Sequence, residues 1–283
     1  MQELFDLGIV HFQNVVPYYP RVRDRDDIGV LRDDVSGVIF LDTTKHMNIS
    51  HYDEMQGYSY WDGQTRAKTL ELYAEDDERR AKQFLTILRG RDVIDVGCGT
   101  GGFMDRIRTH TRSIAGVEPQ AYVRKELHEL GYTMHRTSSD APKESADVAT
   151  LFHVLEHILE PLKTLGEVRS ILRPGGQIII EVPHARDVLL KLNDFKAFAL
   201  WSEHLVLHTK ESLRTYLVAA EFSDIKIEGY QRYPLANHVG WLVQGKPDGQ
   251  TRFKEFGPAA DAYARMLLES DQTDTLIATA RKK

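Results

Sequence analysis

The amino-acid sequence predicts an α/β protein of the doubly wound class, built on a mostly parallel sheet. Three observations carry that expectation. Short β-branched apolar runs alternate with helical segments between residues 91 and 183. The first of these runs ends in a glycine-rich turn that leads into a helix. The chain has 283 residues, 42% hydrophobic and 28% charged, which is ordinary globular usage and enough for a large core.

Residues 1–64 mix aromatic residues, Asp and His without a sustained period and contain one clear strand, VSGVIFLD (35–42), so they read as an irregular N-terminal extension. From Thr65 the run TRAKTLELYAEDDERRAKQFLTILRG has helical spacing and stops at Gly90, a good C-cap residue. Strand and helix then alternate through RDVIDVG (91–97), a helix after the glycines, SIAGVE (113–118), AYVRKELHELG (121–131), DVATLFHV (147–154) and QIIIEVP (177–183). Helices are expected at 185–199 and 210–221, followed by a terminal strand pair formed by FSDIKIEGYQRYP and HVGWLVQG. Residues 65–247 thus form the main domain, and 248–283 read as a tail, one polar amphipathic C-terminal helix from Pro258.

The formal net charge is −6, from 36 Lys and Arg against 42 Asp and Glu, which argues against a broad nucleic-acid footprint. A single cysteine, Cys98, excludes an intramolecular disulfide and a Cys-rich zinc module. There is no basic n-region with an apolar run, and no stretch reaches the roughly 18 consecutive apolar residues of a membrane span. A cytoplasmic protein is the expectation, with the oligomeric state left open.

The glycine-rich turn, DVGCGTG (95–101), lets the backbone approach a ligand closely. Asp95 narrows the ligand. A carboxylate two residues before the first glycine repels a pyrophosphate and suits an ammonium group. Glu118 ends the next strand seventeen residues beyond Gly101, where a carboxylate accepts both hydrogen bonds of a ribose diol. A ribose joined to an amino acid satisfies both ends, as in S-adenosylmethionine.

With DVGCGTG, the GVEP turn, the DVATLFHVLEHILEP block and the LRPGGQIIIEVP block in this order, the sequence resembles the class I S-adenosylmethionine-dependent methyltransferases over residues 65–245. The resemblance implies a Rossmann-like sheet and places Asp95, Gly97, Cys98, Gly99, Gly101, Glu118, Pro119, Phe152 and Tyr60 around the methyl donor. It puts Ser139 or Asp140 beside the adenine amino group, with a helix N-cap as the other role open to Asp140. Cys98 is there as a small loop residue.

His153, Glu156 and His157 fall at i, i+3 and i+4 in HVLEH, at the expected end of the fourth strand. Bracing of the local turn, an acceptor-side base at His157, and a metal site all stay open. The block resembles the Glu-x-x-Glu-His segment of ubiquinone-pathway and small-RNA 3′-end methyltransferases, which implies a divalent ion there, with His153 replacing the first Glu. From 178 to 242 the chain also resembles deoxysugar C-methyltransferases, whose Tyr-x-Glu-His motif reads Trp201-Ser202-Glu203-His204. That resemblance implies Glu203 and His204 as catalytic groups beside a sugar, and Tyr58, Tyr60 and Trp61 as lid residues. The zinc-ribbon cysteines and the further C-terminal domain of those relatives are expected to be missing. The function expected is methylation at O or C of a small acceptor, a sugar, sugar nucleotide or glycan precursor. Metal-assisted O-methylation of another small molecule or an RNA end, and a non-catalytic scaffold, are the alternatives.

Overall fold

The computed structural model describes residues 1–47, 65–247 and 252–283. The N-terminal residues start with a short helix, α1 (Gln2–Asp6), and continue into strands β1 (Val15–Tyr19), β2 (Val30–Asp33) and β3 (Ile39–Leu41). The strand expected over 35–42 is shorter because its first half is a turn. Buried Asp33 accepts from the Val35 and Ser36 amides (3.0 and 2.8 Å), and Gly37 takes a left-handed φ of 76°.

Helices α2 (Arg66–Leu72) and α3 (Ala74–Leu88) lead into the central sheet, with Thr65 capping the first by accepting from the Lys68 amide. Parallel strands β4 (Asp92–Val96), β5 (Ser113–Val117), β6 (Thr133–His135), β7 (Ala146–Phe152) and β8 (Leu172–Pro183) alternate with α4 (Gly102–Ile107), α5 (Ala121–Glu129) and α6 (Pro161–Ile171). Their order, β8-β7-β4-β5-β6, is the doubly wound arrangement the alternating pattern implied.

Between 185 and 199 the chain is a 3₁₀ turn at Val188–Lys191 and a separate helix α7 (Asn193–Ala199), divided by the extended Leu192. The two-residue strand β9 (Val206–Leu207) pairs with β3, so the N-terminal antiparallel sheet recruits its fourth strand from far along the chain. Next come α8 (Lys210–Ala219) and β10 (Phe222–Tyr230).

The terminal strand pair is not the one expected. HVGWLVQG lies in helix α9 (Leu235–Gln244), which buries Ala236, Asn237, Gly240 and Trp241 at helical spacing and ends on a left-handed Gly245. Nor is the C-terminal tail a single helix. Helix α10 (Ala260–Glu269) is followed by strand β11 (Thr275–Lys282), which lies between β8 and β10 and is antiparallel to both. Its run Thr275–Ala278 is buried on both faces, so the two-sided pattern of an interior strand replaces simple alternation.

One continuous core joins the two sheets. Leu4, Val38 and Phe40 of the N-terminal layer belong to the same buried cluster as Ile180, Leu207 and Leu213. That packing fixes the N-terminal sheet beside the carboxyl ends of β7 and β8.

Candidate active site

The donor loop follows β4. Gly97, Gly99 and Gly101 all have positive φ (68°, 50° and 76°), and a Cβ at Gly97 would overlap the Val154 side chain, so only glycine fits that position without strain. Asp95 is buried and accepts from the Thr150 hydroxyl at 2.6 Å. Glu118 accepts from the Gly99 and Gln120 amides (3.1 and 2.9 Å), which joins the loop to the end of β5. Burial pushes both carboxyls up to about 7, and the neighbouring Asp77 and Glu118 carboxylates add to the effect at Asp95. Two buried carboxyls that, among the described residues, have no cation at ion-pair distance, Arg80 and Arg124 acting on them only from farther off, fit a ligand with an ammonium and a ribose diol. The residues present therefore suit S-adenosylmethionine.

The other expected donor contacts have the following surroundings. Cys98 directs its sulfur toward Gly116 and Met134, and burial raises its thiol well above the usual range. The Pro119 carbonyl accepts from Arg124. Phe152 packs between Phe84 and Phe103 under the Arg80 guanidinium. Ser139 and Asp140 lie exposed in a 3₁₀ turn after β6, where Thr137 is the N-cap and Asp140, rather than capping a helix itself, is the third residue of a capping box with Thr137. Tyr58, Tyr60 and Trp61 lie outside the described residues.

The second cluster stands past the ends of β7 and β8. HVLEH is not a full helical turn: His153 takes a left-handed φ of 55°, and Leu155–His157 forms a 3₁₀ turn. His153 is turned away toward a buried ion network. Its Nδ1 donates to Glu156 (3.0 Å) and its Nε2 lies 3.3 Å from Glu181, which also binds Arg79 and Arg80. Burial opposes charge on His153, but Glu156 and Glu181 outweigh it and raise its pKa. Glu156, despite complete burial, is held down to about 2, chiefly by His153.

On the other side of Glu156 the rings of His157 and His204 approach to 4.9 Å, and Trp201 stands 5.6 Å from His204. Burial lowers the pKa of His157, and burial with His157 beside it lowers that of His204 to about 3, so both imidazoles are neutral near pH 7. Glu203 is buried next to them. Among the described residues, one carboxylate oxygen of Glu156 and Nδ1 of His157 have no hydrogen-bond partner. Glu156, His157 and His204 place their ligand atoms within 4.8 Å of one another, so these three, rather than His153, could hold a metal ion.

Residues not foreseen from sequence hold this segment in place. Asp24 accepts from the Ser202 amide and hydroxyl (3.0 and 2.6 Å), His46 donates to the Ser202 carbonyl (2.8 Å), and the Leu205 amide donates to the Glu156 carbonyl (2.8 Å). Thr150 and Asp24 carry no motif signal, because their partners lie 55 and 178 residues away.

Residues 67–227 match the family model described as a methyltransferase domain. The chain is 24% identical over 245 residues to a ubiquinone biosynthesis O-methyltransferase of Pseudomonas aeruginosa, covering 73% of this chain and 99% of that one. Similarity to a tRNA U34 carboxymethyltransferase of Hahella chejuensis is 26% over 180 residues, 58% of this chain and 55% of that one. The chain spans 63% and 48% of the lengths of two further ubiquinone biosynthesis O-methyltransferases, from Stutzerimonas stutzeri and a Bradyrhizobium species. Among solved structures, a possible histamine N-methyltransferase of Thermotoga maritima superposes with a TM-score of 0.54 at 18% identity, covering 85% of this chain and all of that one. No helix among the described residues is long and apolar enough to cross a membrane. The sheet order, the glycine loop with its two buried carboxyls and the family match together make the chain a member of the methyltransferase domain family, an S-adenosylmethionine-dependent class I methyltransferase.

Proposed function

We propose that this enzyme methylates a hydroxyl, or a carbon next to a carbonyl, on a sugar-like acceptor such as a sugar nucleotide or glycan precursor. The observation that carries the reading is the meeting of His157 and His204, from separate segments, with ring centroids 4.9 Å apart at the carboxyl edge of the sheet that holds Asp95 and Glu118. Bound donor supplies a methyl group on a sulfonium, a leaving group that needs no acid. The chain's own work is alignment of the acceptor and removal of its proton.

His204, neutral in its buried site, takes the acceptor proton on an imidazole nitrogen as the new bond to the methyl carbon forms. The ionised Glu156 offsets part of the cost that burial and His157 place on the imidazolium that results. Trp201 offers a flat apolar surface against which a sugar ring can lie. Asp95 and Glu118 hold the donor's ammonium and ribose, and Gly97, Gly99 and Gly101 let the loop close on it.

The test is incubation with S-adenosylmethionine and a pool of sugars and sugar nucleotides, keto sugars included, with mass spectrometry for S-adenosylhomocysteine and for a methylated acceptor. Donor turnover with a methylated sugar supports the reading; donor binding with no sugar modified refutes the acceptor class. A second reading, metal-assisted O-methylation, is favoured by the Glu156, His157 and His204 set, a two-His, one-carboxylate group suited to zinc or a similar ion. It requires that a chelator abolish turnover and that one divalent ion restore it. Relatives named as O-methyltransferases agree with a hydroxyl acceptor under either reading.

A further inference from the structure

The loop before β2 carries three arginines, Arg21, Arg23 and Arg25, and β2 itself carries Arg32. Arg21 pairs with Asp26, Arg25 with Asp27 and Arg32 with Asp34. Arg23 is different. Among the described residues no carboxylate lies within ion-pair distance of its guanidinium, which stacks 4.8 Å over the Trp201 ring and 5.7 Å from Phe198. One nitrogen donates to the Phe198 carbonyl at 3.1 Å, and the side chain is exposed. Its remaining donors are open.

The position of this cation is built, not incidental. The Arg23 amide donates to the Leu200 carbonyl (2.9 Å), and the next residue, Asp24, grips Ser202 through two hydrogen bonds. The chain on both sides of Trp201 is thus fastened, at Leu200 by the Arg23 amide and at Ser202 by the Asp24 carboxylate. Stacking on an aromatic face orients a guanidinium while leaving its edge available, and that edge matches the oxygens of a phosphate or carboxylate. Arg23 also lies close enough to His204 to contribute to keeping its imidazole neutral.

We propose that Arg23, displayed on Trp201 next to the His157–His204 pair, binds an anionic group of the acceptor, so that the enzyme selects phosphorylated sugars over neutral ones. This rests on the reading of that pair as the acceptor site and narrows its substrate class. A phosphoryl group offers the guanidinium two oxygens at once, so an exposed, oriented arginine is expected to confer about tenfold in affinity, on the order of 1.4 kcal/mol.

The test is binding of glucose, glucose 1-phosphate, UDP-glucose and glucuronate to the full-length enzyme saturated with S-adenosylhomocysteine, by calorimetry. Wild-type enzyme should bind a phosphate-bearing member at least about tenfold more tightly than glucose. Arg23→Gln should remove that preference, and Arg23→Lys should keep part of it. Preference for glucuronate equal to that for the phosphates would assign the group as a carboxylate and overturn the phosphoryl assignment. Equal affinity for charged and neutral members, no binding of any phosphate-bearing member, or a preference unchanged in Arg23→Gln overturns the proposal. S-adenosylhomocysteine affinity within twofold of wild type shows that the variant is folded. Failure of the His204 reading shows separately: His204→Ala would then retain turnover, while the charge preference, which does not involve proton removal, persists.

Discussion

Lowering the pH from 7.5 to 5.5 should weaken donor binding through Asp95 and Glu118. Both carboxyls are buried and pushed up to about 7 in the free enzyme, whereas the donor contacts proposed for them, Asp95 against an ammonium and Glu118 under a ribose diol, require them ionised. The sign follows from proton linkage: the free enzyme holds protons that the complex must release, so affinity is full above pH 7 and falls as the pH drops below it. With a pKa of about 7, the ionised fraction falls from roughly three quarters at pH 7.5 to roughly one thirtieth at pH 5.5, about 25-fold per group. If both groups must ionise, the loss reaches on the order of 500-fold. Calorimetry with S-adenosylhomocysteine, which keeps the ammonium and the ribose, measures this without turnover. In Asp95→Asn the affinity should be lower at pH 7.5, and the pH slope below 7 should drop to that of one group. A dissociation constant that changes less than about threefold between pH 7.5 and 5.5, or an unchanged slope in Asp95→Asn, refutes the assignment of these carboxyls to the donor.

Gly97→Ala puts a Cβ into Val154 at a left-handed φ of 68°, and should cost about 1–3 kcal/mol in thermal or urea unfolding together with donor affinity. His204→Gln should reduce turnover at least about 100-fold, the range for loss of a general base, while the donor dissociation constant stays within twofold. Glu181→Ala leaves buried Arg80 and half-buried Arg79 with only the more distant Asp77 and Asp76 as carboxylate partners, and should destabilise by about 3–5 kcal/mol in urea denaturation. Leu276→Ala, at a fully buried position of β11, should cost about 2–5 kcal/mol, where a free helical tail would show almost none.

Local signals in the sequence carry much of this structure. Four of the five parallel strands and the donor loop are each encoded by a contiguous run with its own period, bounded by glycine or by a helix cap, so they are legible without tertiary knowledge, whereas β6, three residues long, has no such run. HVGWLVQG and TLIATARK are misleading for opposite reasons. The first has a brief alternation but buries a helical face, and the second is buried on both sides and so has no alternation to show. At the site, Glu203, His204 and His157 are visible as motif residues, but that His153 turns into an ion network with Glu181 depends on a left-handed backbone and on arginines from α3. The roles of Asp24, His46 and Thr150 arise only from contacts across the fold.

The placement of β11 has a consequence for the order in which the molecule can assemble. Residues 275–282 occupy an interior position of the sheet, and Thr275 pairs with Pro183, 92 positions earlier in the chain. Until those residues leave the ribosome, β8 has an open edge and β10 has no neighbour. From the completion of β8 until residues 275–282 follow, the nascent chain therefore carries an exposed apolar strand edge, a surface that chaperones recognise and that other chains can pair with. Closure by an antiparallel strand from so far along the chain is slow relative to formation of the local βα units.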